Sequence, residues 1–95
     1  MFYAGTMVER VPVRDSPEEA PRRQRENAHI TRPETPLPVR AWITQRQTGA
    51  FEADGVAVAW TDRQVEVRYG DPHGRQGFVW VWASAVTRRP APGEG

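Results

Sequence analysis

Residues 64–82 decide the fold, and they read Gln-Val-Glu-Val-Arg-Tyr-Gly-Asp-Pro-His-Gly-Arg-Gln-Gly-Phe-Val-Trp-Val-Trp. In the first half, Val65, Val67 and Tyr69 alternate with charged residues, which is the period of a strand with one buried face. The four residues Asp71–Gly74 then have the composition of a type I turn that ends in glycine. The stretch therefore predicts a β-hairpin.

The second run of this hairpin is apolar on both faces. Phe78, Trp80 and Trp82 share one face of the predicted strand, while Val79 and Val81 share the other. Burying only one face would leave bulky apolar side chains in water. We therefore expect another part of the chain, or a partner, to cover the second face.

Strand-like alternation begins at Leu37 and continues almost to the end of the chain. Residues 37–44 form a first predicted strand that presents Arg40 and Trp42 on its outer side. A turn follows, at Thr48–Gly49 or, by preference, at Ala53–Gly55. A second strand contains Val56, Val58 and Trp60, and residues 61–63 link it tightly to the strand that starts at Gln64. Residues 83–86 fit a single helical turn, and residues 86–88 a short edge strand.

Five short antiparallel strands with a helical turn before the last resemble the SH3-like small barrel, whose layout Tudor-like and KOW-like domains share. The likeness rests on residues 77–80 and 83–86, which are similar to that family's hydrophobic fourth strand, helical turn and closing valine. It covers residues 37–89 and implies an all-β, five-stranded antiparallel barrel. The acidic loop and paired tyrosines that bind proline-rich peptides have no counterpart, so that ligand class is not implied. The chain also resembles uncharacterised small actinobacterial proteins.

Composition divides the chain into an N-terminal arm over residues 1–36, a β-domain over residues 37–89 and a tail over residues 90–95. Residues 9–36 are rich in proline and charge and poor in large apolar groups, which predicts a flexible arm. Within it, Ser16–Glu19 has the form of a helix start, and a short helix over residues 21–28 would present no apolar stripe. The apolar residues Met1, Phe2, Tyr3, Met7 and Val8 could fold back over exposed tryptophans.

Several function classes are disfavoured by composition. The chain has 95 residues, a net charge of +1 and no cysteine, so a disulfide framework and a zinc-thiolate site are excluded. No apolar run approaches the roughly 20 residues that cross a bilayer, and the start lacks the pattern of a secretory signal, so we expect a cytoplasmic protein. All 13 basic residues are arginine, which is typical of a GC-rich genome such as an actinobacterial one. We expect no cofactor and no metal.

The side-chain alternation assigns residues to the inside and outside of a narrow barrel. The expected interior consists of Val39, Ala41, Ile43, Val56, Val58, Val65, Val67, Val79 and Val81. Trp42, Trp80 and Trp82 then lie outside, together with Phe78 and Arg40. Because each bare indole exposes up to ~200 Å², we predict that this aromatic face is covered by the N-terminal arm, a second copy or a partner protein. The predicted function is a non-enzymatic interaction module, with the partner-binding residues Trp42, Trp80, Trp82, Phe78 and Arg40.

Nucleic-acid binding and catalysis are the two other functions that the sequence allows us to compare. Nucleic-acid binding would use arginines near the aromatic groups, and its candidates are Arg40, Arg68, Arg75, Arg88 and Arg89. Interleaved carboxylates dilute their field, so it is the alternative. Catalysis is disfavoured because neither His29 nor His73 has a base or nucleophile at a suggestive spacing. Asp71, which stands near His73, has a structural role at that turn position, where it accepts backbone hydrogen bonds.

Overall fold

The computed structural model describes residues 15–90. They form five antiparallel strands in one sheet: β1 (Leu37–Gln45), β2 (Gly49–Trp60), β3 (Gln64–Gly70), β4 (Gln76–Trp82) and β5 (Val86–Arg88). Single 3-10 turns occupy Arg22–Arg25 and Ala83–Ala85. The prediction of an all-β domain with a helical turn before the last strand is confirmed. The predictions for Met1, Phe2, Tyr3, Met7 and Val8, and for the tail from residue 91, lie outside the described residues.

The sheet has the strand order β4-β3-β2-β1-β5, so each of its hairpins joins sequence neighbours, and only β5 returns to pair with β1. Within the described part of the chain, no ladder joins the edge strands β4 and β5. Closure into a barrel therefore remains a prediction. Residues 16–20 lie in the gap between β4 and the part of β1 that extends beyond its pairing with β5: the Glu18 amide donates to the Thr44 carbonyl on β1 at 2.7 Å, and the Ala20 amide donates to the Trp80 carbonyl on β4 at 2.9 Å.

The core lies on one face of this sheet, where alternate residues of four strands meet. Its buried members are Val39, Ala41, Ile43, Ala53, Ala57, Val67, Tyr69, Val79 and Val81, with Leu37, Phe51, Trp60, Val65 and Val86 packed around them. The interior predicted for β1, β3 and β4 is confirmed. The residues predicted for β2 are wrong: Val56 and Val58 are half-exposed, and Ala57 and Ala59 are buried in their place.

Strand register explains the error on β2. Opposite residues of antiparallel strands share a face, and the inward Ala41 pairs with Ala53, whereas Val56 pairs with the half-exposed Pro38. Ala57 pairs with the core residue Val67 on β3, and a register shift between Ala57 and Ala59 then sets Ala59 against Glu66 and Trp60 against Val65, so that Ala59 is buried outside the core cluster. Pairing across strands, rather than the bulk of the valines, sets the buried face.

The turn between β1 and β2 also differs from the preferred prediction. Residues 53–55 lie inside β2, and the chain reverses before Gly49, whose φ of 89° is the left-handed conformation that glycine adopts without strain. The Asp15 carboxylate holds this turn, since its Oδ1 accepts the Gln47 amide at 2.7 Å and its Oδ2 accepts the Thr48 amide at 2.9 Å. The cap comes from far away in sequence, so local patterns do not reveal it.

The hairpin between β3 and β4 is confirmed at Asp71–Gly74. The Gly74 amide donates to the Asp71 carbonyl at 2.9 Å, and Gly74 has a φ of 83°. Asp71 Oδ1 accepts the amides of His73 and Arg75, each at 2.9 Å. The carboxylate thus has the structural role that its turn position predicted.

Candidate functional site: an indole groove at the seam of the sheet

The segment before β1 lies on the sheet, in contrast to the flexible arm expected up to residue 36. Pro17 forms an antiparallel bridge with Gln45, and Thr31 forms another with Trp60. Between these two bridges the chain crosses the outer faces of β4 and β3, and the 3-10 turn at Arg22–Arg25 replaces the short helix considered over residues 21–28. The backbone pairs with β1, β4 and β2 in succession, which the local composition could not show.

Trp80 is buried under this segment. Its face of β4 was predicted correctly, because Val79 and Val81 point to the core, but its exposure was not: Trp80 is only 8% exposed. The Arg25 guanidinium lies over the indole at 4.6 Å from the ring centroid, and the Trp80 amide donates to Glu19 Oε2 at 3.3 Å. Trp80 is therefore excluded from the exposed part of the predicted binding face.

Gln64 completes the contact that holds Arg25 in place. Arg25 Nη1 donates to Gln64 Oε1 at 2.9 Å and to the Ala20 carbonyl at 3.0 Å. Gln64 Nε2 in turn donates to the Pro21 carbonyl at 3.1 Å, although Gln64 is 1% exposed. Hydrogen bonds at both ends of this buried amide offset the cost of its desolvation, so this cluster fixes residues 20–25 on β4.

Trp42 and Trp82 are the two indoles that remain exposed, at 54% and 39%. They line one groove of about 200 Å³ at the gap between β1 and β4, together with Val81 and the segment 18–21. Trp42 lies on β1 between the residues that pair with β5 and the bridge at Gln45. Trp82 ends β4 just before the second 3-10 turn. Strand β1, the end of β4 and the crossing segment thus form the groove.

The remaining predicted contact residues lie near this groove without forming it. Phe78 is 52% exposed, but it lies near the start of β4, four residues before Trp82, and does not line the groove. Arg40 shares the outer side of β1 with Trp42, and its Nε donates to Asp54 Oδ1 at 2.9 Å. That hydrogen bond, with the charge of the guanidinium, lowers the pKa of the Asp54 carboxyl despite the opposing effect of burial. Arg40 is therefore already paired with a carboxylate.

Of the five arginines proposed for nucleic acid, Arg40, Arg68 and Arg89 gather around the Asp54 carboxylate. Arg75 contacts the Asp71 carboxylate at 3.0 Å. Arg89 donates to the carbonyls of Val39 and Gly55 and lies 3.7 Å from Asp54. Arg68 and Arg89 line one shallow recess that also contains Asp54. Arg88 lies on β5, at an apolar opening next to Leu37 and Val86. Carboxylates neutralise three of the five.

A second, polar recess of about 270 Å³ lies where the segment begins, between Asp15, Asp71 and Tyr69. Burial acts to raise the pKa of the Asp15 carboxyl, but its hydrogen bonds with Thr48 and Gln47 outweigh that effect and lower the pKa. The same balance lowers the pKa of Asp71, where the amides of Arg75 and His73 donate. Asp15 and Asp71 thus each cap one of the two turns by accepting amide hydrogen bonds, and we assign this recess a structural role.

The chain matches no family model, curated protein or solved structure. The indole groove is therefore assigned on its own geometry. Over residues 15–90, no cluster of three or more histidine, cysteine or acidic side chains could hold a metal ion. No helix in that range is both long and apolar enough to cross a bilayer. Sequence patterns predicted Trp42 and Trp82, whereas the rim at residues 18–21 depends on long-range pairing that leaves no local signal.

Proposed function

We propose that this protein is a non-enzymatic interaction module that docks on a protein partner through the indole groove. The observation that carries the proposal is the convergence of Trp42 and Trp82, both exposed, on one groove that the apolar Val81 also lines. Exposed tryptophans are costly in water and are enriched among the residues that dominate binding energy at interfaces. The SH3-like layout and a cytoplasmic setting are part of the same proposal.

The arrangement suits peptide or protein contact better than chemistry on a small molecule. The groove is open and shallow, and its polar members are a threonine and carboxylates at the rim. Indoles supply a large and rigid contact area at a low cost in side-chain entropy. The rim backbone at Glu18 and Ala20 is fixed by hydrogen bonds to β1 and β4, so the groove is formed before a partner arrives.

The test compares the native chain with a Trp42→Ala/Trp82→Ala double variant, with Phe78→Ala as the matched control. Phe78 is an equally exposed aromatic residue outside the groove. Binders selected on the native chain from a displayed library of random peptides are titrated against all three proteins by calorimetry. Because truncation of an anchor residue costs about 2 kcal/mol or more, we expect a loss of at least tenfold for the double variant and little change for Phe78→Ala. Equal binding by all three proteins would remove the groove from the function.

Nucleic-acid binding is the alternative, and salt separates it from protein docking. Each phosphate that an arginine neutralises releases counterions, so affinity for an oligonucleotide would fall by orders of magnitude between about 50 and 200 mM salt. Docking on an indole groove has no such steep dependence, since few charges are neutralised. Fluorescence anisotropy with single-stranded and duplex oligonucleotides therefore tests the alternative, and tight, steeply salt-dependent binding would favour it over the groove.

A further inference from the structure

The rim of the indole groove carries a self-complementary charge pattern. Residues 18–23 read Glu-Glu-Ala-Pro-Arg-Arg, with two acids, two uncharged residues and two bases in order. When two such segments lie antiparallel, each acidic end faces the basic end of the other. A two-fold axis that passes near Ala20 and Pro21 gives this arrangement, because a two-fold interface places residue i against residue j and j against i.

The charges needed for such pairing are available in the described part of the chain. Glu18, Arg22 and Arg23 are exposed, and none of them forms an ion pair within residues 15–90. Their neighbours differ: Glu19 contacts Arg25 at 3.8 Å, and Arg40 is paired with Asp54. Several other exposed charges, such as Glu34 and Asp62, also form no ion pair within residues 15–90, but Glu18, Arg22 and Arg23 belong to a segment that is its own complement.

The position of the segment joins this pattern to the exposed indoles. Residues 18–21 line the groove that contains Trp42 and Trp82. Two copies that pair through their rims therefore bring their grooves face to face. The two indoles expose together roughly 200 Å² in each copy, which is well below the ~800 Å² per partner of a standard interface. Pairing should accordingly be reversible and depend on protein concentration.

We infer that the groove is occupied by a second copy of this chain, in a two-fold symmetric pair that sets Glu18 of each copy against Arg22 and Arg23 of the other. This inference rests on the proposed function, because it names the partner of the same groove. It explains why the exposed indoles and the uncompensated charges occur side by side. A pair of this kind would also make a heterologous partner compete with self-association.

A charge-swap experiment tests the inference on the full chain. Sedimentation equilibrium is measured from about 1 µM to about 1 mM, the range in which interfaces of modest size associate. We expect the native chain to dimerise, and Glu18→Arg and Arg22→Glu/Arg23→Glu each to remain monomeric because the facing pairs that involve residue 18 are then like-charged. An equimolar mixture of the two variants should restore a dimer, and Trp42→Ala/Trp82→Ala should weaken the native one at least tenfold.

The control is Glu34→Arg, which changes net charge as Glu18→Arg does but is exposed and outside the segment. It should dimerise like the native chain and should not form the restored dimer with Arg22→Glu/Arg23→Glu. The inference is overturned if the native chain stays monomeric throughout, or if Glu34→Arg pairs with the acidic variant as tightly as Glu18→Arg does. A monomeric native chain whose peptide binding still requires Trp42 and Trp82 would leave the proposed function standing. Near-ultraviolet circular dichroism of buried Trp80 confirms that each variant is folded.

Discussion

Replacing Arg25 by alanine tests whether the segment before β1 is held on the sheet by the contacts described above. The guanidinium lies over the Trp80 ring and donates to Gln64 Oε1 and to the Ala20 carbonyl. Its side chain is only 10% exposed, so these contacts are little screened by solvent. Arg25→Ala removes all of them at once and leaves Gln64 Oε1 buried without its donor.

The expected loss follows from the separate contributions. A cation–π contact of this kind contributes about 1 kcal/mol, and a hydrogen bond contributes about 1 kcal/mol net, with a comparable cost for a buried acceptor left unpaired. Since Arg25 regains hydration when the chain unfolds and these contributions are not additive, we expect the free energy of unfolding to fall by about 2–3 kcal/mol. Arg25→Lys keeps the charge but loses the planar guanidinium, so its free energy of unfolding should lie between those of the native chain and Arg25→Ala.

The assay is urea unfolding followed by tryptophan emission at low protein concentration, with amide hydrogen exchange as a local readout. The Ala20 amide, which donates to the Trp80 carbonyl, should exchange faster in Arg25→Ala than in the native chain. Arg22→Ala is the matched control, because Arg22 lies exposed in the same 3-10 turn and should change stability by less than about 0.5 kcal/mol. Equal effects of Arg25→Ala and Arg22→Ala on stability would refute the proposal that Arg25 holds the segment on the sheet.

Two further substitutions test the sheet and its turns. Gly55→Ala places a Cβ against the Arg68 carbonyl oxygen and should cost at least about 2 kcal/mol in urea unfolding, whereas Gly70→Ala, with nothing within 4 Å, should be nearly neutral. Asp71→Asn should lower the urea midpoint at pH 7, unlike the exposed Asp62→Asn. Because hydrogen bonds lower the pKa of Asp71 in the folded state, its stabilisation is present above the ordinary aspartate range and disappears as pH falls, so the difference should shrink below about pH 4. A difference that is constant from pH 7 to pH 3 would contradict this role.

The parts of the fold that follow from local patterns were predictable, and the parts that depend on distant partners were not. The alternation of side chains predicted β1, β3 and β4, and the residues Asp71–Gly74 predicted the turn between β3 and β4. Strand period and turn chemistry are local properties of the sequence. Of the two positions predicted for the turn between β1 and β2, the chain reverses at Thr48–Gly49 and not at the preferred Ala53–Gly55; the Asp15 cap that holds this turn is distant in sequence and gives no local signal. The inward face of β2 was misassigned because register with β1 puts Ala57 rather than Val58 in the core.

The candidate site shows the same division. The sequence predicted that β4 carries apolar residues on both faces and that a second element must cover one of them. The N-terminal arm was one of the expected covers, but the residues expected to fold back were the apolar ones at its start, because the proline- and charge-rich segment has no apolar stripe. Its contacts are backbone bridges, such as Pro17 with Gln45, and the side chain of Arg25 over Trp80. Polar groups that bind to a strand edge leave no periodic pattern, so composition alone suggested flexibility.

Residues 16–25 connect the stability of the sheet to the shape of the groove. The hydrogen bonds from Glu18 to Thr44 and from Ala20 to Trp80 span the gap between β1 and β4, and the same residues form the rim beside Trp42 and Trp82. A ligand or second copy that contacts this rim binds only the state in which the gap is spanned. By mass action, occupation of the groove therefore stabilises the segment over Trp80, and loosening of the segment weakens binding by the same free energy. Substitutions under the segment, remote from the exposed indoles, should consequently alter affinity without touching the partner.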